Sequence, residues 1–248
     1  MFNFNFYTPT RVVFGKETEY RIGKLVKNVN CKKVLLHYGS GSVIRSGLLG
    51  RIKESLDASG VTYVELGGVV PNPRLSLVRK GIELCRKEGV DFLLAVGGGS
   101  VIDTAKAIGF GALYKGDFWD FFTGAAKIEK TLPVGVVLTI SAAGSEGSDS
   151  CVITQERGNL KWGCPKTDVI RPKFAVLNPR FTCSLPAYQT ASGAVDMMAH
   201  IMERYFTNTP DVGLTDRLCE ALLKTVLDAA PKAIADPNDY AARADLMW

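Results

Sequence analysis

The feature that most constrains the fold is a recurring pair: a short, continuous apolar run that ends in small residues, followed by an amphipathic stretch. KVLLHYG (33–39), VTYVELGG (61–68), VDFLLAVGGGS (90–100) and LPVGVVLTI (132–140) are short and mostly apolar. A strand with only one buried face alternates; a strand that is apolar throughout is covered on both faces. Between them lie SVIRSGLLGRIKESLDASG (42–60), LSLVRKGIELCRKEG (75–89) and VIDTAKAIGFGAL (101–113), which read as helices, the second closed by Gly89. Strands alternating with helices predict a mostly parallel, doubly covered sheet. Shorter strands are expected at CVIT (151–154) and KFAVLNP (173–179). At the start, FNFNFY alternates Phe with polar residues and predicts a half-exposed strand, turning at TPT into a partner strand RVVFG.

From Leu185 onward the pattern is helical only, which predicts two domains: residues 1–180, an α/β domain with a Rossmann-like sheet, and residues 181–248, an all-α domain. The chain stops inside a helical pattern, ADLMW, without a closing Gly, Asn or Pro. The expectation is that the second domain is incomplete.

Composition narrows the function. At 46% hydrophobic and 22% charged, the chain is an ordinary globular protein. Its net charge of +5 is spread without a basic tract, so no nucleic-acid partner is expected. No apolar run reaches membrane-span length, and the N-terminus lacks a signal-peptide pattern. The six cysteines show no C-x-x-C spacing and read as free thiols in the cytoplasm.

Three loops carry the candidate chemistry. VGGGSVID (96–103) follows a buried strand and opens a helix, where free N–H groups and absent side chains suit a pyrophosphate. It lacks the G-x-G-x-x-G spacing, and Ser100 with Asp103 also matches a capping box, which needs no ligand. HYGSGS (37–42) offers Gly39, Ser40, Gly41 and Ser42 without the carboxylate that would read the free ribose hydroxyl of NAD; Arg45 lies nearby, so the lean is to NADP. A polar surface loop is the plain alternative. TISAAGSEGSDS (139–150) either lines a pocket with hydroxyls or is a flexible loop. Small-residue loops at several strand ends mark the edge where open α/β sheets bind ligands.

GAVDMMAHIMERYF (193–206) reads as a mostly buried helix carrying Asp196 and His200 four residues apart on one stripe, with Glu203 beyond. Asp and His together suit Zn²⁺ or Fe²⁺. Alternatively, His200 pairs with Glu203 and Asp196 is solvated. The only other histidine, His37, sits on a buried strand and reads as a core residue.

The ordered set PNPR (71–74), AVGGGSVIDTAK (95–106), LTISAAGSEGS (138–148), KFAVLNP (173–179) and GAVDMMAHIMERY (193–205) resembles the iron-containing alcohol dehydrogenases over the whole chain. The branch it looks most like is the NADPH-dependent butanol dehydrogenases and aldehyde reductases. The resemblance implies a dehydroquinate-synthase-like fold and interconversion of a primary alcohol and an aldehyde. A divalent metal, Fe²⁺ or Zn²⁺, would act on the substrate oxygen, and NADP(H) or NAD(H) would carry hydride. By motif, Gly98, Gly99, Ser100 and Asp103 fall at the pyrophosphate and ribose, and Gly39, Ser40 and Ser42 at the adenosine ribose. Asn72 falls near the adenosine, and Thr139, Ser145 and Lys161 along the nicotinamide half. Asp196 and His200 match the first two metal ligands. The family's third loop has Thr and Asn where this chain has Ala143 and Ser148, and no histidine follows His200. A homodimer is also implied for the full-length enzyme. Two other readings stay open: a polyol oxidoreductase or phosphate-eliminating synthase of the same fold, the latter disfavoured by the missing basic cluster, and a nucleotide-binding chain without catalysis.

Overall fold

The computed structural model describes residues 1–248. It contains two compact units, one of Pro9–Leu138 and Ser145–Leu177, the other of Met1–Thr8, Thr139–Gly144 and Asn178–Trp248.

The first unit runs β1 (Arg11–Phe14), α1 (Ile22–Lys27), β2 (Lys33–Gly39), α2 (Ser42–Arg45), α3 (Leu48–Ala58), β3 (Thr62–Val69) and α4 (Leu75–Glu88). It continues with β4 (Phe92–Gly97), α5 (Gly99–Ala112), α6 (Asp120–Thr123), β5 (Val134–Leu138), β6 (Val152–Gln155), β7 (Leu160–Gly163) and β8 (Phe174–Leu177). Six strands form one sheet in the order β1-β8-β5-β4-β2-β3. Every pairing is parallel, with Val96 opposite Tyr38 and Gly97 opposite Leu138. Every residue of β4, β5 and β8 is buried, as uninterrupted apolar runs require of central strands. Each fully buried Leu, Val or Phe there contributes about 1.5–3 kcal/mol. The rings of Phe92 and Phe174 stack 5.8 Å apart across the sheet.

Three expectations need correction. Residues 2–7 form no strand: Phe2, Phe4 and Phe6 are all exposed, so their alternation has no face to cover, and β1 pairs in parallel with β8 instead of with them. The helix expected over 42–60 is two, α2 and α3, separated by Gly47 at φ +70°. That left-handed turn is open to glycine at little cost and breaks the helical hydrogen-bond ladder. The strand 151–154 belongs to a separate antiparallel hairpin, β6 with β7, whose second strand is exposed along most of its length and showed no apolar pattern.

In the second unit, α7 (Ala187–Tyr205), α8 (Gly213–Ala235) and α9 (Tyr240–Met247) pack through Ala194, Val226, Ala229, Ala230, Ala233, Ala242 and Leu246. Small alanines allow close helix approach. Arg243 is buried here, its guanidinium donating to Thr190 Oγ1 (2.8 Å), the carbonyl of Ala233 (3.0 Å) and the carbonyl of Pro237 (3.2 Å). Asp239 caps α9 through the Ala242 N–H at 3.0 Å. No helix is long and apolar enough to cross a membrane.

Candidate cofactor and metal sites

Because the sheet is parallel, the loops after β2, β3, β4 and β5 all leave from one edge. The chain passes from β2 outward to β3, but from β4 the other way to β5, and β2 and β4 are neighbours. The winding direction therefore reverses between them, and such a switch point opens a crevice at the strands' carboxyl ends. The two loops flanking it are residues 39–42 and 97–100.

Gly98 is the residue before α5, in extended backbone, and no side chain caps the helix. The first intrahelical donors are the N–H groups of Val101 and Ile102, both to the Gly98 carbonyl, so those of Gly99 and Ser100 are left without an intrahelical acceptor. A Cβ placed on Gly99 would meet nothing within 4 Å, so the space over this N-terminus is open. The capping-box alternative does not hold: Ser100 lies inside the helix, and its carbonyl accepts from Thr104 Oγ1 at 2.7 Å.

Asp103 looks elsewhere. One carboxylate oxygen accepts from Ser145 Oγ at 2.5 Å and the other from the Val152 N–H at 2.9 Å. Burial pushes this carboxyl up, against the pull of those two hydrogen bonds. Ser145 is buried beside it. One turn on, Lys106 is wholly buried. Its Nζ donates to the carbonyls of Ser145 (2.7 Å), Ser148 (3.0 Å) and Ser150 (3.0 Å) and to Ser148 Oγ (2.9 Å). Burial pulls the Lys106 ammonium down and the nearby Asp103 carboxylate pushes it up. Lys106 thus shapes the third loop, and sequence reasoning did not single it out. The signal was available: a lysine in the otherwise apolar stretch AKAIGFGA is expensive to bury without acceptors.

In the loop after β2, Ser40 and Ser42 are exposed, and Ser42 opens α2. A Cβ on Gly41 would lie 2.8 Å from Arg45 Nη1, so the guanidinium is folded against this loop. Asn72, beyond β3, holds φ +59°, a left-handed geometry that Asn tolerates well. Lys161 is exposed on β7, opposite Thr154. Thr139 directly follows β5 in the chain but belongs to the helical unit.

His37 is the core residue expected: fully buried on β2, with Nδ1 2.7 Å from the Leu66 carbonyl, to which it donates, and Nε2 without a partner. Burial lowers its pKa to about 4.

On α7, Asp196 and His200 do share a face, His200 Nε2 lying 3.9 Å from Asp196 Oδ1 and His200 Nδ1 3.9 Å from Glu203 Oε2. The helix is not mostly buried. Only Thr190, Gly193 and Ala194 are buried, and the side chains of Asp196 and His200 are 48% and 44% exposed. Neither is in hydrogen-bond range of the other, so the pair is a bare oxygen and nitrogen donor set. No group of three or more His, Cys, Asp or Glu side chains gathers anywhere in the chain that could hold a metal. The donors suit Fe²⁺ or Zn²⁺ in kind but fill only part of a coordination sphere. Gly193, one turn before Asp196, lets α7 touch the third loop: a Cβ there would sit 2.4 Å from the Ser141 carbonyl oxygen.

Residues 9–179 match the family model for iron-containing alcohol dehydrogenase, and residues 190–248 match the C-terminal model of the same family. The chain is 46% identical over 250 residues to the probable NADH-dependent butanol dehydrogenase 2 of Bacillus subtilis, covering 100% of this chain and 63% of that one. It is 39% identical over 251 residues to the NADPH-dependent aldehyde reductase YqhD of Escherichia coli, covering 100% and 64%. The crystal structure of NADH-dependent butanol dehydrogenase A from Thermotoga maritima superimposes with a TM-score of 0.96 at 43% identity, covering 99% of this chain and 61% of that one. The chain therefore spans less than two thirds of the length of these relatives. With a switch-point glycine loop, an Asp–His helix and both family models matched in order, the chain belongs to the iron-containing alcohol dehydrogenase family.

Proposed function

We propose that residues 1–180 are the dinucleotide-binding domain, and residues 181–248 part of the metal-binding domain, of an NAD(P)-dependent enzyme that interconverts primary alcohols and aldehydes. The observation that carries this reading is the uncapped, open N-terminus of α5 beside the switch point between β2 and β4. In this reading the N–H groups of Gly99 and Ser100 receive the pyrophosphate, with Gly98 leaving room for it. Gly39, Ser40 and Ser42 meet the adenosine ribose and Asn72 the adenosine. Thr139, Ser145 and Lys161 flank the nicotinamide half. Asp103 acts by holding Ser145 in place rather than by ligation, since both its oxygens are already engaged. Asp196 and His200 supply two ligands of the metal. When bound, the metal offers a Lewis acid to the substrate oxygen and the nicotinamide offers or takes hydride.

NADP(H) is the cofactor that the β2 loop suits better: no carboxylate lies between Gly39 and Arg45, and the Arg45 guanidinium folds over Gly41. The names of the relatives carry both nicotinamides, so the test is the ratio of the two affinities. A cytoplasmic homodimer is proposed for the full-length enzyme.

The test uses full-length protein loaded with Fe²⁺ or Zn²⁺, assayed against short aldehydes and against polyols. Nicotinamide-dependent aldehyde reduction, lost in Asp196→Ala and His200→Ala with dinucleotide affinity retained, supports the reading. Turnover of polyols alone, or activity indifferent to both substitutions, refutes it. The 248-residue chain itself is expected to bind metal weakly, which metal titration measures.

A further inference from the structure

Cys151 and Cys164 face one another where the β6–β7 hairpin begins and ends. Val152 pairs with Gly163 in the ladder, so the two cysteines occupy the next rung, with the Cys164 N–H donating to the Cys151 carbonyl at 2.9 Å. Their Sγ atoms lie 3.5 Å apart, and the Cys151 N–H also points at Cys164 Sγ from 3.3 Å. All six cysteines are free thiols. The neighbourhood is specific. Ser150, bonded to Lys106 Nζ through its carbonyl, is adjacent to Cys151, and its hydroxyl reaches the Cys164 carbonyl at 3.5 Å. The dithiol therefore joins the end of the loop that Lys106 organises to the strand that bears Lys161.

We propose that Cys151 and Cys164 form an oxidisable dithiol that closes to a reversible disulfide, clamping the end of the 145–150 loop to β7. Bond formation requires the sulfurs to approach by about 1.5 Å, to a bond length of about 2.05 Å; rotation of side chains on directly opposed residues supplies such a movement. The two sulfurs are chemically unequal. The Cys151 thiol and N–H both donate to Cys164 Sγ, which lowers the Cys164 thiol to about 7, while the same shared proton holds the Cys151 thiol well up. Burial pushes the thiols of Cys31, beside Asp91, and Cys85 up instead. The geometry assigns the roles: the Cys151 N–H points at Cys164 Sγ from 3.3 Å and favours negative charge there, so Cys164 is the nucleophile and Cys151 the resolving thiol.

The oxidant is a small hydroperoxide, because Cys164 is only 6% exposed and Cys151 only 1% exposed, too enclosed for a bulky disulfide. The Cys164 thiolate attacks a peroxide oxygen. An S–O bond forms, the O–O bond breaks, and the leaving hydroxide takes up the proton. The Cys151 sulfur then attacks Cys164 Sγ, giving up its own proton. The S–S bond forms, the S–O bond breaks, and water departs. Two thiols lose two electrons in all, and one hydrogen peroxide becomes two waters. Added thiol reverses the closure by exchange.

The experiment treats the folded, reduced protein with hydrogen peroxide, then counts thiols and maps the unreduced peptides. The expected result is a fall from six thiols to four, the pair's two being consumed, with a single peptide linking Cys151 to Cys164 that dithiothreitol releases. Amide exchange across 145–150 should slow on oxidation. In Cys151→Ser, Cys164 should be trapped as a sulfenic acid by a 1,3-diketone probe; in Cys164→Ser, Cys151 should not be labelled. The proposal is overturned if both thiols survive while other cysteines oxidise, or if Cys164 proceeds to higher acids without joining Cys151. The wild-type peptide map decides the matter even where a serine variant folds poorly.

Discussion

Replacing Lys106 by Met tests the claim that one buried ammonium shapes the third loop. Methionine keeps most of the stem's volume and removes every donor. The wild-type Nζ meets four acceptors within 3.0 Å, all from residues 145–150, and the bond to the Ser145 carbonyl is itself buried. A hydrogen bond to a charged group is worth about 1.5–3 kcal/mol, and the values do not add when they share one donor atom. Part of the gain already offsets the desolvation that lowers the lysine's pKa. The carbonyls of Ser148 and Ser150 are less enclosed and regain water, so the Ser145 carbonyl dominates the loss. The expected cost is about 3 kcal/mol, near the low end for removing one partner of a buried charged group. For a chain of this size each kcal/mol lowers Tm by about 2–4 °C, so the variant should melt about 6–12 °C below wild type. Calorimetry measures this, and hydrogen exchange at residues 145–150 should accelerate beyond any change in the sheet. A melting point within about 1 °C of wild type, with exchange in the loop unaltered, would refute the reasoning.

His37 makes stability depend on pH. Its folded pKa is about 4 against an ordinary 6.5, so the unfolded chain binds the extra proton between those values. The contribution is complete above pH 6.5 and is lost as pH falls towards 4, about 3 kcal/mol in all; urea titrations across that window should show the slope, and His37→Gln should flatten it. Gly193→Ala should push the Ser141 carbonyl away by about 1 Å, the gap between a 2.4 Å clash and an ordinary 3.4 Å contact. Inside a helix, Ala alone would stabilise by about 1 kcal/mol, so a drop in Tm in calorimetry marks the clash, and a rise in Tm would remove it. Arg45→Ala should weaken NADPH about tenfold, the worth of one charged hydrogen bond, and leave NADH unchanged in fluorescence titrations; equal effects on both would remove Arg45 from the ribose end.

The sheet was legible because its central strands are buried on both faces, which leaves no polar alternation to confuse the reading. β4 and β5 are apolar from end to end, and their glycine- and serine-rich exits mark the carboxyl edge of the sheet without reference to any partner. The edges were less legible. FNFNFY has the period of a strand but nothing to pair with, and β7 pairs well while lacking an apolar pattern. Ser100 and Asp103 have the spacing of a capping box. Only the structure shows Asp103 turned towards Ser145 and Val152, because spacing fixes neither a side chain's rotamer nor the loop it meets.

The sequence by itself therefore determined the parallel α/β architecture, the succession to helices, the glycine loops and the D-x-x-x-H spacing, all of which follow from local periodicity and backbone freedom. Tertiary structure alone decided the strand order that puts the switch point between β2 and β4, the exposure of Asp196 and His200, and the Lys106 network. It also decided the meeting of Cys151 with Cys164. These depend on contacts between residues distant in the chain, and a local pattern carries no record of which distant groups will be brought within hydrogen-bond reach.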